Sequence, residues 1–215
     1  MRTHPQSFLR QPFSALFANP ANVRVLRTLI RHGGELSAPM LADRSKLTKP
    51  SVLAALDYLA ELGFVDSIGS VRQRLHRIDS RHPLVPALAA LFAAEDHRFE
   101  TIIEAIRAAA AQAGVVAAWL YGSVARGEDR PDSDLDIAIV TSASVKAKLR
   151  DALRGLEDEW RVSVSLVELV ADDILRLARD NDPWWVGMIK DAVPLVGPDP
   201  ASLAASLPPK QRGAA

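Results

Sequence analysis

The segment from Tyr121 to Val140 reads YGSVARGEDRPDSDLDIAIV and contains the residue types best suited to chemistry. Asp134 and Asp136 stand two apart at the head of an apolar run, and side chains two apart on a strand leave the same face. Two carboxylates that close repel each other unless a cation lies between them. Mg²⁺ is commonly held by one or two carboxylates together with substrate phosphates. The pair therefore predicts a site for Mg²⁺ or Mn²⁺.

The turn that precedes the aspartates predicts a phosphate site. Gly122 lets the backbone approach a ligand closely, and Ser123 adds a hydroxyl. Free N–H groups at the start of the following helix attract anions. Arg126 lies on the same loop and is a candidate contact for a triphosphate, with a solvated helix residue as the alternative. A phosphate loop beside a metal site fits nucleotidyl transfer from a nucleoside triphosphate.

The text GSVARGEDRPDSDLDIAIV resembles the signature of the DNA polymerase β-type nucleotidyltransferase superfamily, and is most similar to its minimal bacterial and archaeal members. The resemblance covers about residues 112–198. It implies that Gly122, Ser123 and Ser133 belong to the phosphate loop, with Ser133 capping it. It also implies that Asp134 and Asp136 are catalytic metal ligands. A plain turn followed by an acidic strand start is the alternative.

One position departs from the superfamily pattern. Active members carry a third carboxylate on the next strand, and the matching text here is Val164-Ser165-Leu166-Val167. A serine is neither an anionic metal ligand nor an effective base at neutral pH. Glu168 is the nearest acid, but it has the opposite strand parity and needs a bulge to reach the site. Binding is therefore expected, while catalysis stays open.

Two functions remain at this point. The enzyme hypothesis is transfer of a nucleoside monophosphate to a hydroxyl on a protein, an RNA or a small molecule. The binding hypothesis is a DNA-bound transcriptional regulator, antitoxin-like, whose second domain senses nucleotide or holds a protein partner. The aspartate pair favours the first hypothesis, and Ser165 with the basic first half of the chain favours the second.

The elements around the aspartates alternate between strand and helix. VVAAWLY, DLDIAIV and RVSVSLVELV read as strands, and SVKAKLRDALRGLEDEW reads as a helix. This order predicts an α/β domain on a small mixed sheet over residues 112–198. Trp184 and Trp185 follow Pro183; they could stack a base, although core packing is the more common use of such aromatics. The Pro- and Ala-rich segment 199–215 is expected to be a flexible tail.

The first part of the chain predicts a winged helix-turn-helix over residues 18–80. NPANVRVLRTLIRHGG, SAPMLADRS and LTKPSVLAALDYLAELG read as three helices, and a strand-like hairpin follows around Gly69-Ser70. This stretch resembles the MarR- and ArsR-like DNA-binding domains. Thr48, Lys49 and Ser51 at the third helix start are candidate DNA contacts. A protein-binding or dimerisation module is the alternative.

The second strand of the hairpin adds basic residues. Arg72, Arg74 and His76 are two apart, which places them on one face where they could reach the DNA backbone. His32, His76 and His82 are scattered and are expected to be surface residues rather than metal ligands. An Ala-rich helix over residues 81–111, with AEDHRFE as a possible break, is either a connector with a homodimer surface or core helix of the second domain.

Composition bounds the remaining choices. The 215 residues include no cysteine, which excludes disulfides and thiolate chemistry, and no apolar run reaches membrane-span length. A cytoplasmic protein with no membrane association is expected. The net charge is zero, but residues 1–83 hold 12 basic and 6 acidic residues, while the remainder holds 14 and 20. A basic half suits DNA and an acidic half suits metal ions, although charge can also scatter this way by chance.

Overall fold

The chain divides between His97 and Arg98 into two units. A computed structural model describes Ser7 and residues 10–70, 73–141 and 145–208. Among these residues, none of the helices combines the length and the apolar character needed to cross a bilayer.

The first unit is the predicted winged helix, with two further elements. Its helices are α1 (Pro12–Phe17), α2 (Pro20–His32), α3 (Ala38–Ser45) and α4 (Lys49–Glu61). Its strands β1 (Leu36–Ser37), β2 (Val65–Ile68) and β3 (Leu75–Ile78) form an antiparallel sheet in the order β1-β3-β2. The sequence did not predict α1 or the two-residue β1. Side chains of Asn19, Ser37 and Thr48 cap α2, α3 and α4 respectively, as their types and positions predicted.

Helix α5 (Val85–Ala113) is continuous through the charged segment AEDHRFE, so the expected break there is absent. Its first turns supply Val85, Leu88 and Phe92 to the core of the first unit. Its last turns supply Ile102, Ile106 and Ala110 to the core of the second unit. The helix therefore contributes to the cores of both units, while the homodimer surface expected on it stays a prediction.

Two ion pairs fasten the first half of α5 to α2. Arg27 donates to both carboxylate oxygens of Glu95, at 2.8 and 2.9 Å. Arg31, one turn further along α2, forms the same forked pair with Asp96. Paired forks add directional hydrogen bonding to charge attraction, so they fix the register of the two helices.

The second unit is built on a mixed sheet of β4 (Ala117–Tyr121), β5 (Leu135–Val140), β6 (Val164–Leu169) and β7 (Val193–Val196). The strand order is β6-β5-β4-β7; β5 and β6 are parallel, and the other pairs are antiparallel. The helices are α6 (Gly122–Arg126), α7 (Lys146–Trp160), α8 (Ala171–Arg179), α9 (Pro183–Asp191) and α10 (Pro200–Ser206). The predicted mixed α/β class is confirmed.

Each face of this sheet packs against its own set of helices. Leu120, Ile137 and Leu166 face α7 and the end of α5. Trp119, Ala138 and Leu169 face α8, α9 and α10. Alternation along the strands places Tyr121, Asp136 and Ser165 on the second of these faces. The candidate site thus belongs to the α8–α10 side of the sheet, at the end where β4 finishes and β5 begins.

Two expectations from the sequence are corrected by the fold. The tail does not become loose at residue 199, because Asp199 caps α10 through Ser202 N at 2.9 Å and Leu203 is buried. His76 is buried rather than exposed, because β3 is the central strand of its sheet and His76 pairs with Leu36 of β1. Burial, with the nearby Arg74 charge, lowers the pKa of His76 below its ordinary value.

Candidate functional site

Three side chains form a row across the second sheet. Asp136 pairs with Tyr121 on the antiparallel strand β4 and with Ser165 on the parallel strand β6. The Ser165 side chain faces Asp136 and lowers the pKa of its carboxyl group. Asp136 is half-buried in the centre of the row, and Tyr121 and Ser165 are half-buried at its sides. Opposite residues on neighbouring strands lie close enough to interact, so the row is one local site.

Gly122 brings the turn after β4 directly against Asp136. Its φ is +76°, a left-handed conformation that favours glycine. A Cβ added there would lie 3.2 Å from Cγ and 3.3 Å from Cβ of Asp136, and would overlap Oδ2. The absence of a side chain at residue 122 therefore lets the backbone of the turn and the carboxylate share one small space.

Asp134 lies just ahead of β5 rather than on it, because the strand begins at Leu135. The same-face argument from strand alternation therefore applies to Asp136 and not to Asp134. The two groups nevertheless interact: burial raises the pKa of Asp136 above its ordinary value, and the charge of Asp134 raises it further. A divalent cation would relieve both effects, because it replaces lost hydration and screens the repulsion.

The oxygen donors at this site suit a hard divalent ion. Two carboxylates, the Ser165 hydroxyl and an open approach along Gly122 suit an ion that keeps several water or phosphate ligands, as Mg²⁺ does. Within the described ranges, no cluster of three or more His, Cys, Asp or Glu could hold a metal by itself. The residues present fit an ion shared with a phosphate ligand better than a site made of protein groups alone.

Glu168 does not replace the missing acid at residue 165. It pairs with Ile139 in an uninterrupted parallel register, so no bulge turns it toward Asp136. Its carboxylate accepts a hydrogen bond from Val145 N at 2.8 Å, just before α7. The opposite parity noted in the sequence is therefore preserved in the fold. Ser165 is the residue that faces Asp136.

The remaining loop residues lie around the same turn. Ser133 Oγ accepts a hydrogen bond from Arg130 N at 2.9 Å, which closes the loop before Asp134. Ser123 is half-buried in α6, directly after Gly122. Arg126 donates to Glu128 at 2.8 Å and lies 3.9 Å from Asp191 of α9. Arg126 is thus held by two acids near Asp136, whose pKa its charge lowers.

Sequence reasoning missed Tyr121 as part of the site. Its pKa is raised by burial and by the charge of Asp136, while the neighbouring Trp184 side chain lowers it. Trp184 and Tyr121 meet edge to face, with ring centroids 5.5 Å apart. Trp185 instead enters the core against Trp119. The position of Tyr121 at the end of β4 could have drawn attention to it. Its pairing with Asp136, however, depends on the register of β4 and β5, which the sequence does not set.

A cavity of about 370 Å³ opens on the other side of Asp134. Its wall includes Ser133, Ser163 and Phe99, together with three arginines at positions 98, 130 and 161. Aspartates 129 and 132 also line it, so its charge is mixed. The cavity therefore adjoins Asp134, and Asp136 is not among the residues of its wall.

In the first unit, the predicted DNA contacts cluster around the start of α4. Thr48 Oγ1 and Ser51 Oγ are 2.8 Å apart, and Lys49 is exposed beside them. A groove of about 730 Å³ runs from Lys49 to Arg74 between α4 and β3. Asp57 and the buried His76 also line it, so the expectation that His76 extends outward to a DNA backbone is wrong. Arg72 lies outside the described residues.

The two folds define the class of protein. The first unit is a winged helix, and the second is a mixed sheet with a Gly-Ser turn against an aspartate, the arrangement of a nucleotidyltransferase domain. The family model described as Polymerase beta, Nucleotidyltransferase matches residues 101–179, and that of the MarR family matches residues 19–74. The chain therefore carries a MarR-type winged helix followed by a polymerase β-type nucleotidyltransferase domain, as the sequence predicted.

Solved structures give weaker likenesses. Reduced HlyU from Vibrio cholerae N16961 is 22% identical over 40% of this chain and 93% of its own, with a TM-score of 0.31. A toxin-antitoxin with AMP-PNP is 22% identical over 42% and 69%, with a TM-score of 0.31. NadR in complex with 4-hydroxyphenylacetate is 20% identical over 48% and 84%, with a TM-score of 0.34. These scores are too low to carry an argument. Comparison with the curated proteins finds no match.

Proposed function

We propose that the second unit binds a nucleoside triphosphate with Mg²⁺ or Mn²⁺, and that the winged helix docks on DNA. The observation that carries the first part is the contact of Gly122 with Asp136. This contact brings the backbone of Gly122 and the carboxylate of Asp136 together. A phosphate bound by the turn and a cation bound by the carboxylate would therefore lie side by side and neutralise each other's charge. Gly122 and Ser123 would take the phosphates, and Asp134 with Asp136 would hold the ion.

Arg126 supports the phosphate assignment. Its guanidinium stays near Asp136 because Glu128 and Asp191 hold it there. A cation already placed beside the turn costs little side-chain entropy when an anionic ligand binds. Ser133 supports the ion assignment, because its bond to Arg130 N fixes the loop that presents Asp134.

The reaction open to such a site is nucleotidyl transfer. An acceptor hydroxyl would attack the α-phosphorus, pyrophosphate would leave, and the hydroxyl proton would go to a base. The bound ion would supply neutralisation of the triphosphate charge. Ser165 occupies the place that faces Asp136 and cannot accept that proton effectively at neutral pH. We therefore infer weak or absent transfer, with binding retained.

Nucleotide binding should depend on the aspartate pair. Asp134→Asn combined with Asp136→Asn should weaken binding of nucleoside triphosphate with Mg²⁺ by more than about 100-fold, since even outer-shell partners of metal sites cost about 10–100-fold. Calorimetry measures the loss. The matched control is Asp129→Asn with Asp132→Asn, which removes the same charge from exposed positions of the same loop. Equal binding by the wild type and the Asp134/Asp136 variant would overturn the proposed site.

A second candidate function is a DNA-bound regulator, antitoxin-like, in which the second unit senses nucleotide or holds a protein partner without transfer. Ser165, which lies opposite Asp136, favours it, because loss of the proton-accepting acid at this position would leave ligand binding without transfer. The groove that joins Lys49 to Arg74 also favours it, since both side chains are exposed there. A homodimer and residence in the cytoplasm remain part of this proposal.

DNA binding should be steeply dependent on salt. Each phosphate contact contributes a slope of about −0.9 to the plot of log affinity against log salt. The double variant Lys49→Ala with Arg74→Ala should bind genomic DNA fragments more weakly and with a slope shallower by about 2. Lys148→Ala, at an exposed position of α7, should leave both unchanged. If the full chain binds no DNA even at low salt, the winged helix is a protein-binding or dimerisation module.

A further inference from the structure

The Tyr121–Trp184 pair stands next to the proposed phosphate site without a role in holding phosphate or metal. Tyr121 is the cross-strand neighbour of Asp136 and immediately precedes Gly122. Trp184 meets the Tyr121 ring edge to face, with the ring centroids 5.5 Å apart and an interplanar angle of 87°. Both rings are half-buried, so each keeps surface in contact with solvent.

The position of Trp184 is fixed from three directions. Asp182 Oδ1 accepts a hydrogen bond from Trp184 N at 2.9 Å and caps the start of α9. The next residue, Trp185, is only 1% exposed and anchors that start against Trp119. At the other end of α9, Asp191 lies 3.9 Å from Arg126 of α6. Helix α9 therefore contacts the short helix α6, which begins at Gly122.

A held, half-buried indole is suited to a flat ligand. Stacking on a ring that cannot rotate away costs little conformational entropy, and every nucleobase offers a π-face. The other buried tryptophans cannot serve, because Trp119 and Trp185 are fully enclosed in the core. Trp160 is half-buried too, but it packs with the α7 side of the sheet and lies under Arg98, away from the row that contains Asp136.

We propose that Trp184, supported by Tyr121, is the stacking platform for the base of the nucleoside triphosphate. This rests on the proposed function, because the triphosphate must first occupy the turn at Gly122. The proposal assigns a contact to the base, which the phosphate site does not touch. Stacking of the base contributes to affinity. Purines are favoured over pyrimidines because they have the larger face.

The experiment compares three kinds of ligand, each of which contains three linked phosphates. Calorimetry in Mg²⁺ measures binding of purine and pyrimidine nucleoside triphosphates and of inorganic tripolyphosphate to the full chain. In wild-type protein, purine triphosphates should bind most tightly and tripolyphosphate least. Trp184→Leu should weaken purine triphosphate binding by about 5–150-fold and leave tripolyphosphate binding unchanged. Trp184→Phe, which keeps a ring, should retain most of the preference, and Trp160→Leu should retain all of it.

The outcomes separate this inference from the function on which it rests. If wild-type protein binds neither the nucleoside triphosphates nor tripolyphosphate, the proposed phosphate and metal site is wrong. If it binds all triphosphates and tripolyphosphate equally, the site stands and the stacking platform is wrong. Unchanged purine binding by folded Trp184→Leu overturns the platform as well. If that variant melts below the assay temperature, the purine preference of wild-type protein and its retention in Trp184→Phe decide the question.

Discussion

Replacing Ser165 with aspartate should raise transfer of labelled nucleotide by about 10²–10⁴-fold over wild-type protein, the usual worth of one general base. Residue 165 is directly opposite Asp136 on the neighbouring parallel strand, and the two side chains lie on the same face of the sheet. An added carboxylate would complete a three-acid site and could accept the proton of the attacking hydroxyl. Transfer is followed with a nucleoside triphosphate labelled at the α-phosphate, with cellular protein and RNA offered as acceptors.

The matched control is Ser165→Asn, which has the size of aspartate without its charge. It should stay at the wild-type level. A third acid should also make the thermal midpoint of the second unit more dependent on Mg²⁺, because three unscreened carboxylates repel each other. Robust transfer by wild-type protein would show that another group accepts the proton. If Ser165→Asp gains Mg²⁺ dependence but no transfer, the domain has lost more than this one residue.

Gly122→Ala should both destabilise the second unit and abolish nucleotide binding. The left-handed backbone costs an alanine about 1–2 kcal/mol. The new methyl group would also overlap Asp136, and overpacking of this kind adds about 1–3 kcal/mol. Denaturant unfolding measures the first effect, and calorimetry with nucleoside triphosphate and Mg²⁺ measures the second.

Gly127→Ala separates backbone strain from the contact with Asp136. Gly127 has a similar φ of +67°, but nothing lies within 4 Å of a Cβ added there. Its alanine variant should therefore lose only the backbone contribution and should keep most of its nucleotide binding. Equal losses in the two variants would mean that the closeness of Gly122 to Asp136 has no part in binding.

The elements with strong periodicity could be predicted from sequence. The apolar runs of β4, β5 and β6 and the capped helices α2 and α4 are found where the patterns placed them. Helix α1 and strands β1 and β7 were not predicted, because a few residues carry too little periodicity, although the short helix α6 and the two strands of the hairpin were. Strand β1 has two residues, and its absence from the prediction made His76 look like a residue of an exposed edge. Strand β7 contains Pro194, a poor strand former, and was missed for that reason.

The candidate site was predictable in its residue types but not in its contacts. The spacing of Gly122, Ser123, Asp134 and Asp136 identifies the Gly-Ser turn and the aspartate pair as the two parts of the site. Which atoms meet depends on the pairing of β4 with β5, and the loop of residues 127–134 between them does not set that register by any recognisable turn. Tyr121 and its partner Trp184 are distant in sequence, so only the folded chain brings them together.

The crowding of Gly122 against Asp136, and the easy fit of a serine at residue 165, set an order in which such a domain can change over evolution. Replacement of an ancestral acid by serine at residue 165 removes a proton acceptor without adding bulk opposite Asp136, so we expect it to cost little folding stability. Exchange of Gly122 displaces a carboxylate and strains the chain, so it is penalised at once. Descendants of an active enzyme would therefore lose turnover early and ligand recognition late. A protein at the intermediate stage would still bind the ligand in the fold of the enzyme but would no longer catalyse its transfer.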